Sequence, residues 1–261
     1  MDFKKPETVL DLNHIRVALI RMEDTILFDL IERAQFYTSP AIYDASQLTI
    51  PGSNKSLLDF LLLESEKTHA LVRRYQAPDE IPFFPDEIPE PILPPNEYSR
   101  VLASYESEVN INSLIKEVYT KEIVPLVSAG DVEQAENYGS TAICDIEVLQ
   151  ALSRRIHFGK FVAEAKYQSE KARFRALIEA QDSEGIDAAI TNAAVEAKVL
   201  ERLEAKAETY GVDPTLRWSQ KSQGKIDKKI ARQIYEQWVI PLTKKVEMDY
   251  LLRRLEDEKE A

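Results

Sequence analysis

Residues 140–169 run for thirty positions without a proline. Their apolar and small residues fall at Ile143, Ile146, Leu149, Leu152, Ile156, Gly159 and Ala163, in steps of three and four. That period marks one face of an α-helix and not the alternation of a half-buried strand. A helix of this length spans about 45 Å, the width of a whole domain, so the other elements have to be laid against it. The same steps recur at Leu12, Ile15, Leu19, Met22, Ile26 and Leu30, and Leu58, Leu61, Leu62, His69 and Val72 again share one helix face. They predict helices over 11–35 and 56–75. Further helices are expected over 109–127, 172–181, 185–210 and 227–256, the third ended by Gly211 and Pro214 and the last bent at Pro241. Residues 215–225 read as a loop. Seven of the thirteen prolines crowd between Pro78 and Pro95, a density no helix survives. Residues 76–97 are therefore read as an extended connection, packed on the body through Phe83 and Phe84. No strand run, heptad array or repeat is present. The expected fold class is all-α: one large helical bundle domain, residues 1–261, around a long central helix.

Composition narrows the function by exclusion. Acidic residues outnumber basic ones 45 to 33, giving a net charge of −12 and a pI near 4.9. That balance argues against binding nucleic acid or an anionic membrane, both of which need a basic footprint. No apolar run approaches the roughly 20 residues of a membrane span, and the N-terminal MDFKKPETVLDL lacks the apolar core of a signal segment. Cys144 is the one cysteine, which excludes an internal disulfide framework and fits a reducing compartment. A cytoplasmic protein is expected. His14, His69 and His157 lie on three separate predicted helices without metal-ligand spacing, and neither glycine-rich phosphate motif occurs. No metal and no cofactor are expected.

Three polar constellations stand out against this background. Arg155 and Lys166 are eleven residues apart, close to three turns, and leave the long helix on nearly the same face. Gly159, Val162 and Ala163, all small, lie between them. Asn192 and Glu196, in TNAAVE, form an i,i+4 pair separated by small apolar residues, and Thr243 and Glu247, in PLTKKVE, repeat that spacing just after Pro241. Two accounts compete for these residues. They could form a structural ion-pair network in a non-catalytic helical scaffold, with Arg155 and Lys166 paired to Glu164, Glu196 or Glu247. They could instead line a pocket between helices, positive at its base with carboxyl groups at its rim, suited to a small polyanion carrying hydroxyl or ether oxygens. The KVLERLEAKAE run at 198–208 reads as a solvated face with i,i+4 pairs.

The segments that carry these constellations also carry a resemblance. SRRIHFGKFVAEAKYQ, TNAAVEAKVLERL, AETYGVDP and IPLTKKVEMDYLLRRLE, with MDFKKPETVLDL, RRYQAPDEIPFFPD and NYGSTA, resemble the eukaryotic, allosterically regulated chorismate mutases of the fungal type. The match follows chain order along essentially the whole sequence. The resemblance implies an all-helical homodimer that converts chorismate to prephenate on the way to phenylalanine and tyrosine, with catalytic and regulatory regions interleaved in one domain. The reaction is an intramolecular Claisen rearrangement and needs no metal, nucleophile or proton transfer. By the same resemblance, Arg16 and Arg155 clamp the two substrate carboxylates, with Asn192 and Thr243 supporting the anionic ends. Lys166 and Glu247 face the ether oxygen, and Glu196 binds the ring hydroxyl.

Regulation is implied in the same way: tyrosine inhibits and tryptophan activates at a site shared between protomers. The matching positions are Asp24, Arg73, Arg74, Asn137, Gly139 and Ser140. Two residues depart from the family pattern. Ile143 stands where the family has a Thr that would help hold the phenolic hydroxyl of tyrosine. Asp227, a good helix N-cap, stands where the family has a Thr tied to the allosteric switch. Weakened or altered tyrosine inhibition is the expectation.

Overall fold

The computed structural model describes residues 2–210 and 225–259. Gly211, Pro214 and all but the last residue of the loop expected over 215–225 lie outside them. In chain order the helices are α1 (Pro6–Val9), α2 (Leu12–Arg33), α3 (Leu57–Leu71), α4 (Asn112–Val118), α5 (Val124–Val127), α6 (Tyr138–His157), α7 (Gly159–Ser169), α8 (Lys171–Glu179), α9 (Ser183–Ile190), α10 (Ala193–Thr209), α11 (Lys228–Ile234), α12 (Ile240–Leu252) and α13 (Glu256–Lys259). Among the described residues the only β pairing is an isolated bridge between Ile50 and Ser53. The fold is all-α. No described helix is long and apolar enough to cross a membrane.

Side-chain caps set where several helices start. Asp11 accepts from the Asn13 and His14 amides at 2.9 Å to open α2, and Ser56 accepts from the Asp59 amide at 3.1 Å to open α3. Asp227 caps α11 through the Lys229 amide at 2.7 Å, as its residue type predicts. The apolar stripes then meet. α6 packs along α2 and α7 along α12, and Ile26, Leu30, Leu149, Leu152, Ile156, Phe161 and Val246 join one hydrophobic cluster. Leu12, assigned to the α2 stripe, is instead exposed.

Four of the expected helices are interrupted. The long 140–169 element turns at Phe158, where the Phe161 amide bonds back to the Phe158 carbonyl at 3.1 Å, a tightening to three-residue spacing. The 185–210 element breaks at Thr191 and Asn192, because the Asn192 side chain takes the Val195 amide at 3.1 Å. A local side-chain bond of this kind competes with helix continuation. The bend expected at Pro241 takes the form of a π turn, Tyr235–Val239, directly before α12. A second π turn, Tyr119–Ile123, precedes Pro125 in the same relation. Proline lacks the amide that an α-ladder would use, and the five-residue bonds from Ile240 to Tyr235 and from Val124 to Tyr119 carry the chain past it.

The proline-rich stretch is strapped to the body, as its two phenylalanines suggested. The buried Glu66 carboxylate accepts from the Phe83 and Phe84 amides at 2.7 and 3.0 Å, and Asn112 donates to the Pro82 carbonyl at 2.9 Å. The 198–208 run is less solvated than expected. Leu200, Leu203 and Ala207 are buried, Arg202 reaches across to Glu23 of α2 at 2.6 Å, and Arg232 of α11 reaches Glu204 at 3.1 Å.

Candidate active site

Helices α2, α6, α7, α10 and α12 enclose a cavity of about 370 Å³. Arg16, Arg155, Lys166, Asn192, Glu196, Thr243 and Glu247 all line it. The turn at Phe158 is short enough to keep the phase of α6 in α7, so Arg155 and Lys166 still emerge on one side. Gly159 has a different use from the one its size suggested. A Cβ there would lie 3.0 Å from the Thr243 carbonyl oxygen and 3.3 Å from Glu247 Cγ. Its absence lets α12 close on the α6–α7 junction and seats Thr243 and Glu247 between the two cations. Val162 lines the cavity, whereas Ala163 is buried in the core.

The electrostatics separate the two accounts of the stripe. Arg155 is buried, 6% exposed, yet its guanidinium has no carboxylate partner among the described residues. Nη1 donates to Thr243 Oγ1 at 3.3 Å, and Nε has no hydrogen-bond partner. A buried cation left so poorly compensated costs several kcal/mol, which a structural ion-pair network would not leave standing. Thr243 donates its own hydroxyl to the Val239 carbonyl at 2.6 Å, so it accepts from Arg155 and orients it. Lys166 donates to the Ile190 carbonyl and stands 3.3 Å from Glu247 Oε2. Glu164, the other partner considered for the cations, is taken by Arg254 and Tyr250 at 2.7 Å each.

Glu247 is buried at the base of the cavity and not at its rim. Burial raises its pKa above the ordinary carboxylate value, against the opposing pull of Lys166, Arg155 and Lys244. Glu196 does stand at the rim, half-buried and 2.8 Å from Lys244. Arg16 is exposed at the mouth and makes no ion pair or hydrogen bond among the described residues. Asn192 spends its side-chain oxygen on the α10 cap, which leaves its amide nitrogen to donate. The cavity therefore offers cations at base and mouth, a carboxyl kept toward its protonated form, and a rim carboxylate. Such a set can bind a small dianion and donate hydrogen bonds to an oxygen on which charge develops.

A family model described as chorismate mutase type II matches residues 137–248. The chain is 56% identical to the chorismate mutase of Pichia angusta over 260 residues, covering 100% of this chain and 93% of that one. The chain belongs to the chorismate mutase family. It is an isomerase that rearranges chorismate to prephenate. The Aro7p chorismate mutase of Candida albicans, solved in complex with L-Trp, superposes with a TM-score of 0.95 at 58% identity, over 98% of this chain and 96% of that one. AtCM1, solved with tyrosine bound in its allosteric site, superposes with a TM-score of 0.85 at 40% identity, over 97% and 99%.

The residues expected from the resemblance to bind effectors are dispersed within one chain of this mutase. Arg74 is engaged by Glu80 at 3.1 Å, Gln150 at 2.8 Å and His69 at 3.0 Å. It is more enclosed than a solvated helix end would be. Arg73, at positive φ, donates to the Pro94 carbonyl. Asp24 turns instead to α10, meeting Lys206 at 2.5 Å and the Tyr210 hydroxyl at 2.8 Å. Asn137, Gly139 and Ser140 sit at the start of α6, about 15–20 Å along the helix from Gln150. Ile143 is exposed beside them.

His157 lies in the core of the mutase, where Nε2 accepts from the Ile111 amide at 3.0 Å and Nδ1 meets the Ser153 carbonyl at 2.9 Å. Burial pushes its pKa down to about 3, so it stays neutral. Burial pushes the Cys144 thiol up to about 11, the wrong direction for a nucleophile. Sequence reasoning missed Glu23, Arg202 and Lys244 as cavity residues. Lys244 adjoins a motif that was read, but nothing in the spacing alone shows that it turns inward.

Proposed function

We propose that the cavity bounded by α2, α6, α7, α10 and α12 is where this enzyme holds and rearranges chorismate. The unpaired, buried guanidinium of Arg155 carries the reading: a substrate carboxylate supplies the anion that the fold withholds. Arg16 at the mouth takes the second carboxylate, with the Asn192 amide in support. Together the two arginines hold the enolpyruvyl arm folded over the ring, a conformer that is sparse in water. Planar guanidinium forks suit that task because they bind carboxylates through paired hydrogen bonds. Glu196 at the rim accepts from the ring hydroxyl.

The ether C–O bond breaks as the new C–C bond forms, and no proton or electron enters or leaves. Negative charge gathers on the ether oxygen. Lys166 and a protonated Glu247 donate to that oxygen, a contact stronger in the transition state than in the ground state. A million-fold acceleration needs about 8 kcal/mol. Conformer restriction and aimed donors each supply several kcal/mol, so no further chemistry is required.

Catalytic and regulatory regions interleave in one domain of a cytoplasmic homodimer. Tyrosine inhibits and tryptophan activates at a site completed between protomers, where Arg73 and Arg74 of one copy meet Asn137, Gly139 and Ser140 of the other, with Asp24 nearby. Support comes from the separation of these residues within one chain and from the ligands of the Candida albicans and AtCM1 structures. The catalytic reading is tested by thermal melting with the product, prephenate. At a hundred times its dissociation constant it stabilises the fold by about 2.7 kcal/mol, raising Tm by about 5 °C. Arg155→Met abolishes that shift; a full shift in the variant contradicts the assignment.

A further inference from the structure

Among the cavity cations with no role in the reading above, one pairs with a proposed substrate contact. Lys244 follows Thr243 on α12 and lines the same cavity, and its ammonium stands 2.8 Å from Glu196 Oε1. The pair ties α12 to the first turn of α10, and Lys244 is the partner the Glu196 side chain has among the described residues. Both side chains are partly exposed, 25% and 30%, and an ion pair in that setting contributes little to stability. What it does fix is direction. A glutamate on the first turn of a helix samples several rotamers, and a cation anchored on the opposite wall selects one.

We propose that Lys244 is a positioning residue. It aims the Glu196 carboxylate at the ring hydroxyl and stands as a third cation on the wall where Glu247 holds its proton. The proposal rests on the roles given above to Glu196 and Glu247. From the elements packed against it, Glu247 is faced by Lys166 of α7 and Arg155 of α6, and α9 brings the Ile190 carbonyl to Lys166. Lys244 lies one turn back on its own helix. Farther round the cavity stand Arg16 and Glu23 of α2, with Glu196, Lys198 and Arg202 of α10. Each of the three near cations favours the ionised form of Glu247, Lys166 most and Lys244 least. Lys244 thereby couples the two glutamates: it fixes one as an acceptor and limits how far up in pH the other remains a donor.

The test assays the full chain with chorismate from mildly acidic to mildly alkaline pH, comparing Lys244→Met and Lys244→Arg in the native and the Glu247→Gln backgrounds. Lys244→Met raises KM about five-fold, the effect of one poorly aimed hydrogen bond. It also moves the alkaline fall in kcat upward by about half a pH unit, because one opposing cation is gone. Lys244→Arg restores both values. In the Glu247→Gln background the KM effect persists and the pH effect vanishes. A purely structural lysine would lower Tm and move neither quantity. Native KM and an unmoved alkaline limb in Lys244→Met overturn the proposal, as does an equal loss in Lys244→Arg. If Lys244→Met melts below the assay temperature, Lys244→Gln is judged by the same two outcomes. An unchanged pH profile in Glu247→Gln alone removes the role of Glu247, and the KM comparison then decides whether Lys244 positions Glu196.

Discussion

A carboxylate cannot donate a hydrogen bond, whereas a carboxylic acid can, so Glu247 has to be protonated to serve the ether oxygen. Its burial provides for this by raising its pKa. The sign follows directly. The native state keeps the proton at pH values where the unfolded chain has released it, so Glu247 contributes stability at low pH that is lost as pH rises toward its raised pKa. Activity falls over the upper part of the same window. Glu247→Gln keeps a donor at every pH and is expected to remove the alkaline fall in kcat; an unchanged pH–rate profile would sink the assignment. At this scale much was legible beforehand. The i,i+4 spacing of Thr243 and Glu247 and the eleven-residue separation of Arg155 and Lys166 are properties of helix geometry, readable from sequence. Which groups are buried, and which lack partners, depends on α12 closing over the α6–α7 junction. No spacing within one helix reports that.

Helix α12 reaches this position because of two local devices. The π turn at Tyr235–Val239 absorbs the amide missing at Pro241 and adds one residue to the helical register, which turns the Thr243–Glu247 face by roughly 100° relative to an unbroken ladder. Gly159 then clears the contact. Gly159→Ala gains helix propensity of up to about 1 kcal/mol but sets a methyl 3.0 Å from the Thr243 backbone oxygen, where little can yield. The expected result is a net stability change within about 1–2 kcal/mol and a fall in kcat of about 10- to 100-fold, since donors displaced by a fraction of an ångström miss the reacting oxygen. Kinetics within two-fold of the native enzyme would show that α12 is not held so tightly. The helix stripes themselves were readable as periods of three and four. The breaks at Phe158 and Asn192 were not, because each is a one-residue event decided by a single hydrogen bond.

At the level of the whole molecule, the proposed regulation would depend on surfaces that one chain presents separately. Ile143 lies exposed next to Ser140, and an aliphatic side chain cannot bond a phenolic hydroxyl. Tyrosine inhibition is therefore expected to be weakened or altered, and Ile143→Thr should lower the half-inhibitory tyrosine concentration about five-fold, the worth of one neutral hydrogen bond. Rate-versus-tyrosine curves at sub-saturating chorismate decide this; identical curves for the two proteins would show that Arg73 and Arg74 suffice. Asp227 leaves the local fold intact through its cap on α11, so any change it brings belongs to the switching equilibrium.

The proposed mechanism requires Arg155 to be buried for the substrate and not for the fold. Arg155→Met, measured for chorismate turnover and for melting temperature on the same preparation, tests that most directly. Removing a catalytic clamp worth about 4 kcal/mol lowers kcat/KM about 10³-fold, while removing an uncompensated buried charge leaves Tm unchanged or raises it. A variant that turns over chorismate at near-native rates, or that loses stability in proportion to its activity, would contradict it.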